Sequence, residues 1–165
     1  IEHSPASERV FGELRITSFA ADHSPIEPAV SYRFDYKGRS VVITGDTIVT
    51  DTLKAQVATV DLLLTDALSQ PIVEALHAAV SGAGNRQLAK ILVDIQEYHA
   101  PASDIAALAR TSDSTTVALY HLVPGPRNIV MEQVFKRGFG DNMVLTHDGM
   151  WFHLPAGSEA IRIEE

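Results

Sequence analysis

The chain has 165 residues, no cysteine and a formal net charge of −8 at pH 7. This length is typical of one domain, and the lack of cysteine excludes disulfides and thiolate metal ligands. The acidic charge disfavours a large phosphate-binding surface but leaves nucleic acid open as a ligand, and no apolar run reaches the roughly 18 residues that span a membrane.

Strands and helices are predicted to alternate along most of the chain. Period-two alternation and short β-branched runs favour strands, whereas apolar residues three and four apart favour helices. The predicted strands are 10–20, 30–36, 40–44, 60–65, 115–120, 143–146 and 150–154, the last two joined as a hairpin through Asp148-Gly149. The predicted helices are 51–58, 68–81, 86–98, 103–110 and 128–137. This alternation indicates an α/β fold, with a mixed β-sheet flanked by helices.

Gly45-Asp46-Thr47 directly follows the predicted buried strand 40–44. Sheets of this kind present reactive groups at strand ends. Asp46 has two interpretations: a cap of the following helix, or a carboxylate that bridges two metal ions and offsets their repulsion. Thr47 is predicted to orient the Asp46 carboxylate.

Two histidines lie at comparable places in the predicted fold. His23 lies in a loop restrained by Pro25 and Pro28, and His121 ends the predicted strand 115–120. Imidazole is a common zinc ligand. The alternatives are a surface or capping role for His23, and a buried, hydrogen-bonded core histidine for His121. Together with Asp46, the two histidines indicate a metal site at the strand ends.

Five features follow one another in a fixed order along residues 10–125: a histidine before a Tyr-Arg-Phe strand, Gly-Asp-Thr, a leucine-rich strand that ends in an acid, a histidine before a helix, and a strand that ends in a histidine. Their functional residues are His23, Asp46, Asp66, His99 and His121. In order and spacing this segment resembles the C-terminal half of metallo-β-lactamase-fold hydrolases, in the tRNase Z, arylsulfatase and phosphodiesterase branch. The resemblance implies half of a four-layered αββα sandwich.

The resemblance also implies roles for these residues. His23 would complete a first zinc site, His121 would bind a second zinc, and Asp46 would bridge the two Zn²⁺ ions. His99 would act as general acid, oriented by Asp66, where the family carries a glutamate that is one methylene longer. The implied reaction is hydrolysis of phosphodiester or sulfate-ester bonds by zinc-bound hydroxide, and the expected substrate is a small-molecule ester. The alternative for Asp66 and His99 is that they make no contact.

The family's His-x-His-x-Asp-His motif is absent from the chain. Residues 1–165 are therefore expected to be a single C-terminal part of the domain, inactive alone, because a catalytic zinc normally takes three protein ligands. The alternative is a non-catalytic fragment or binding module that retains half a metal site. The apolar sheet face that the other half would cover predicts association with that half, or a homo-oligomer. The compartment, cytoplasm or periplasm, is left open.

Overall fold

The computed structural model describes residues 6–111 and 115–165. Its strands are β1 (Ser7–Phe11), β2 (Leu14–Ala20), β3 (Val30–Tyr36), β4 (Arg39–Ile43), β5 (Leu62–Leu68), β6 (Thr116–Val123), β7 (Met143–Leu145), β8 (Trp151–His153) and β9 (Arg162–Glu164). Its helices are α1 (Asp51–Val57), α2 (Gln70–Gly82), α3 (Arg86–Asp94), α4 (Ala102–Ala109) and α5 (Ile129–Phe135). No helix within the described ranges is long and apolar enough to cross a membrane.

Strands β1 to β7 form one mixed sheet in sequence order. The first four are antiparallel neighbours and are joined by short connections, as antiparallel strands allow. The turn between β3 and β4 is Lys37-Gly38, both with positive φ. From β4 onward the neighbours are parallel, and helices make the crossovers. The predicted mixed sheet with flanking helices is confirmed.

The main core lies between one face of this sheet and helices α1, α4 and α5. It contains Val42 and Leu63 from the sheet, Leu53 from α1, Ile105 from α4 and Phe135 from α5, all at most 2% exposed. A smaller cluster packs α2 and α3 against the ends of β5 and β6. Both clusters lie beside the parallel strands, so the carboxyl ends of β4, β5 and β6 are held in fixed positions.

The opposite face of β1 to β4 carries exposed apolar and aromatic side chains. Tyr32 pairs with Ile43 across β3 and β4, and Tyr36 lies four residues further along β3, so the pleat places all three on one face. Their exposed fractions are 38%, 37% and 48%. Phe11 belongs to the same face and is 64% exposed. This surface is the uncovered apolar face that the sequence predicted for half a sandwich.

Two strand predictions are wrong. Residues 10–20 do not form one strand, because Gly12 has φ 61° and reverses the chain between β1 and β2. Segments 143–146 and 150–154 do not pair with each other. Instead β7 extends the sheet in parallel with β6, and β8 pairs with β9. A continuation of the parallel sheet was available to β7, and this long-range pairing outweighed the local turn signal of Asp148-Gly149.

Arg39 ties the C-terminal segment to the sheet. Its guanidinium lies 3.1 Å from Oδ1 of Asp61, and donates to the carbonyl oxygens of Ser158 and Ala160. The side chain is 7% exposed. The backbone N–H of Ser40 also donates to Asp61, at 2.6 Å. One buried cation therefore satisfies acceptors from two separate segments, at Asp61 and at residues 155–160.

We expect Arg39→Met to lower the free energy of unfolding by about 2–3 kcal/mol, because it leaves Asp61 without its cation and several carbonyl groups without their donor. Urea denaturation measures this change, and limited proteolysis should show faster cleavage within residues 155–160. Arg15→Met is the control, since the Arg15–Glu8 pair is about half exposed and such pairs contribute about 0–1 kcal/mol. Equal losses from both variants would contradict the anchoring role.

Candidate functional site

The Gly-Asp-Thr segment begins where β4 leaves the sheet. The backbone N–H of Thr44 donates to the carbonyl of Leu64 at 3.0 Å and keeps β4 beside β5 up to that point. Gly45 then passes so close to β3 that a Cβ atom there would lie 2.9 Å from the carbonyl oxygen of Val30. Glycine is therefore required for this approach, and it delivers the partly exposed Asp46 carboxylate to the edge of the sheet.

Gly45→Ala should lower the free energy of unfolding by about 1–3 kcal/mol, since its methyl group must displace backbone rather than a flexible side chain. Gly82 at the end of α2 is the matched control, because a Cβ atom there meets no other atom within 4 Å. Gly82→Ala should be neutral or stabilising by up to about 1 kcal/mol. Chemical denaturation compares the two. A Gly45→Ala protein as stable as wild type would show that the approach is not restrictive.

Histidines from two other segments converge on Asp46. Nε2 of His23 lies 3.7 Å from Oδ2 of Asp46, and Nε2 of His121 lies 3.3 Å from Oδ1. Each carboxylate oxygen thus faces one imidazole. Two ligand atoms bound at 2.0–2.2 Å to one tetrahedral zinc lie about 3.3–3.6 Å apart. The spacing and the imidazole–carboxylate chemistry of these three residues therefore fit zinc.

A break in strand pairing directs His121 toward this site. The register between β5 and β6 shifts from Thr65↔Leu119 to Ala67↔Leu122. Asp66 alone therefore faces the two residues Tyr120 and His121, which is the geometry of a β-bulge. His121 takes up the distortion with φ 42°, in the left-handed region that few non-glycine residues occupy. Strand β6 continues to Val123, so His121 lies at a bulge within the strand and not at its end.

Asp66 and His99 form a buried pair beside the Asp46 carboxylate. Nδ1 of His99 lies 2.9 Å from Oδ2 of Asp66, and the two residues are 6% and 0% exposed. The contact left open by the shorter aspartate is therefore made. Ligand atoms of His23, Asp46 and His99 lie within 4.8 Å of one another. Because Nδ1 is taken by Asp66, Nε2 is the His99 nitrogen that remains available.

Burial raises the pKa of Asp66, and the hydrogen bond and charge of His99 oppose this effect. The folded state thus keeps the proton of Asp66 to a higher pH than the unfolded state does. Between the unfolded pKa of about 3.9 and the raised folded pKa, stability must fall as the pH rises. We expect the free energy of unfolding of wild type, relative to Asp66→Asn, to fall across this window. Urea denaturation at several pH values checks it, and a relative rise would contradict the burial effect.

Thr47 connects the loop of His23 to the loop of Asp46. Its hydroxyl accepts from the backbone N–H of Asp22 at 2.9 Å and donates to the carbonyl of Ile48. The N–H of Ile48 returns a bond to the carbonyl of Asp22. The Thr47 hydroxyl therefore positions the residue before His23, and the prediction that it orients the Asp46 carboxylate is wrong.

Sequence reasoning missed Tyr98 and Tyr120. The ring of Tyr98 packs against both His23 and His99. The hydroxyl of Tyr120 donates to the carbonyl of Thr44, and burial, followed by the charges of Asp66 and Asp46, raises its pKa. The sequence signal for Tyr98 is only its position next to His99, and Tyr120 precedes His121 in the same way. Neither neighbour relation by itself specifies a contact.

Comparisons with known proteins agree with this fold and site. No protein-family model matches the chain. Over 120 residues, 73% of the chain, it is 30% identical to Ribonuclease Z of Mycobacterium tuberculosis H37Rv, of which it covers 39%. It is also 30% identical over 103 residues to Ribonuclease Z of Mycobacterium avium, of which it covers 33%. The chain therefore spans less than half the length of these relatives.

Two solved structures share the architecture. The metallo-β-lactamase-fold protein YhfI from Bacillus subtilis superposes with a TM-score of 0.57 at 18% identity, over 87% of this chain and 50% of that protein. The short form of human tRNase Z gives a TM-score of 0.53 at 16% identity, over 85% and 43%. The fold is that of part of a metallo-β-lactamase domain, and the chain is similar in sequence and fold to metallo-β-lactamase-fold hydrolases. Within that class its sequence relatives lie in the ribonuclease Z branch.

Proposed function

We propose that this chain is the C-terminal part of a zinc-dependent hydrolase that cleaves phosphodiester bonds. The observation that carries the proposal is Asp46, whose two oxygens face His23 and His121 at 3.7 and 3.3 Å. Ribonuclease Z relatives favour phosphodiesters over sulfate esters as the substrate class. The proposed metal ligands are His23, Asp46 and His121, and His99 and Asp66 are proposed to handle the proton.

The rest of the domain is proposed to lie outside these 165 residues. The chain covers 39% and 33% of two ribonuclease Z relatives, and the uncovered face of β1 to β4 has the apolar character of an interface between two sheets. The other half would supply the His-x-His-x-Asp-His motif and bury Tyr32, Tyr36 and Ile43. Association with that half therefore explains the exposed face better than a homo-oligomer, which would leave the ligand set incomplete.

Zinc ions, when bound, supply Lewis acidity at the reacting phosphorus. The chain's own residues then control the proton. Asp66 accepts a hydrogen bond from Nδ1–H of His99 and so leaves Nε2 as the atom that can hold a proton toward the site. The buried carboxylate stabilises the imidazolium, and His99 can give its Nε2 proton to the departing oxygen. Burial of the pair keeps water from competing for that hydrogen bond.

Two substrates within this class remain to be separated. The net charge of −8 favours a small phosphodiester, because a long nucleic acid requires a basic surface. The names of the sequence relatives favour RNA, and a basic surface could be supplied by the other half. A non-catalytic binding module is the competing proposal for the whole protein, and it predicts metal or ligand binding with no turnover.

The test uses the full-length protein with zinc. Hydrolysis of bis(p-nitrophenyl) phosphate, p-nitrophenyl sulfate and a precursor tRNA is measured with and without EDTA. We expect EDTA-sensitive cleavage of the phosphodiester and little or none of the sulfate ester. Cleavage of the precursor tRNA alone would assign the activity to RNA. Turnover of the sulfate ester alone, or no turnover of any substrate in zinc-loaded protein, would overturn the proposal.

A further inference from the structure

We propose that Tyr98 is a positioning residue that fixes the imidazole plane of His23 through its aromatic ring. The two ring centroids lie 4.7 Å apart at an interplanar angle of 64°, an edge-on arrangement. The same tyrosine ring lies 5.2 Å from His99, and the rings of His23 and His99 lie 5.5 Å apart. Tyr98 therefore packs against both histidines. This inference rests on the proposed role of His23 as a metal ligand.

Among the described residues, the His23 ring has no partner of the kind that usually orients a ligating histidine. Metal-binding imidazoles commonly donate their second N–H to a carboxylate or a carbonyl, as His99 does to Asp66. Across residues 6–111 and 115–165, the ring nitrogens of His23 make no hydrogen bond, and the Asp46 carboxylate at 3.7 Å is beyond hydrogen-bond distance. The ring side chain is nevertheless only 17% exposed. Packing against Tyr98 is the closer of its two ring contacts, the other being His99, and it can hold the plane of the His23 ring.

The aromatic ring, and not the hydroxyl, carries this role. Within the part of the chain that the structure describes, the Tyr98 hydroxyl makes no hydrogen bond, whereas its ring contacts two histidines. Edge-to-face contacts contribute about 0.5–1.5 kcal/mol beyond the area they bury. Phenylalanine should therefore replace Tyr98 with little loss, and leucine, which is apolar but cannot present a ring edge or face, should not.

The experiment measures zinc affinity of the full-length protein by competition with a colorimetric chelator. We expect Tyr98→Leu to weaken binding by about 10-fold, the lower end of the range for residues that orient a ligand. The zinc affinity of Tyr98→Phe should stay within about 2-fold of wild type, a difference too small to count as coupling between residues. Trp151→Leu is the control, since Trp151 stacks on His153 of β8, away from the proposed site, and is 67% exposed. The thermal midpoint of each variant is recorded in the absence of zinc.

A double-mutant cycle with His23→Ala separates positioning from general loss of structure. If Tyr98 acts through His23, Tyr98→Leu should have no further effect on zinc affinity in the His23→Ala background. Additive losses would overturn the inference, and so would Tyr98→Phe binding as weakly as Tyr98→Leu. Wild-type affinity in Tyr98→Leu would overturn this inference alone. Wild-type protein that binds no zinc would overturn the proposed function as well.

Discussion

Asp46→Ala is expected to abolish zinc-dependent hydrolysis, with a fall in kcat/KM of at least about 10³-fold, since a metal centre contributes several kcal/mol to transition-state stabilisation. The physical reason is that Asp46 presents one oxygen to each histidine, so alanine removes a ligand from both proposed metal positions at once. Zinc content should fall together with activity. Elemental analysis and phosphodiester turnover on the same sample measure the two effects.

Asp51→Ala is the matched control for this substitution. Asp51 lies five residues further on, in the first turn of α1, and its side chain is 97% exposed. Removing its exposed pair with Lys54 should hardly change stability and should change neither zinc content nor turnover. An Asp46→Ala protein that keeps its zinc and most of its activity would show that Asp46 only caps α1. That interpretation is already weakened by Thr50, which caps α1 by accepting from the N–H of Leu53.

The second large effect is expected from His99→Ala, which should lower kcat by about 10²–10⁴-fold, the usual contribution of a general acid, while zinc content stays unchanged. Nδ1 of His99 is hydrogen-bonded to Asp66, which holds the ring in place. Nε2 is the His99 nitrogen that remains available to the site. Asp66→Ala should lower kcat in the same direction, and the double variant should lose little more than His99→Ala alone, because the two residues act as a unit.

Substrate choice sharpens this second prediction. A phosphodiester whose leaving group is p-nitrophenolate needs less help from an acid than one with an alkoxide leaving group, so the loss from His99→Ala should be smaller for the former. His77→Ala, on α2 and bonded to Ser81, is the control histidine and should retain wild-type rates. Equal losses on both substrates, or loss of zinc from the His99→Ala protein, would indicate that His99 is a metal ligand instead.

The proximity of the two carboxylates could be predicted, because short-range sequence ties Asp46 and Asp66 to neighbouring strands. Gly45-Asp46-Thr47 follows β4 directly, and Asp66 lies within the leucine-rich strand β5. The order of strands then brings their carboxyl ends together, since β4, β5 and β6 are parallel neighbours. His99 reaches Asp66, 33 residues away, because the segment before α4 lies beside the end of β5, where the N–H of Leu68 donates to the carbonyl of Ala100.

Other features depend on long-range contacts that no local pattern encodes. The bulge opposite Asp66 sets the direction of His121, whereas the sequence predicts only that the strand 115–120 ends at His121. The pairing of β7 with β6 depends on the free edge that β6 offers in the folded sheet, which the local sequence of β7 does not indicate. The sequence predicts that Thr47 orients the adjacent Asp46 carboxylate. In the fold, its hydroxyl instead accepts from the N–H of Asp22, 25 residues away.

We propose that His23, Asp46 and His121 belong to a two-zinc centre. The remaining ligands of that centre are proposed to come from the rest of the domain. Zinc per chain, measured by elemental analysis alongside intact mass, tests it most directly. We expect about two zinc ions per full-length chain. The 165-residue chain alone should bind less than about one, because it lacks the three protein ligands that each zinc requires. Two zinc ions on the 165-residue chain, or none on the full-length protein, would contradict it.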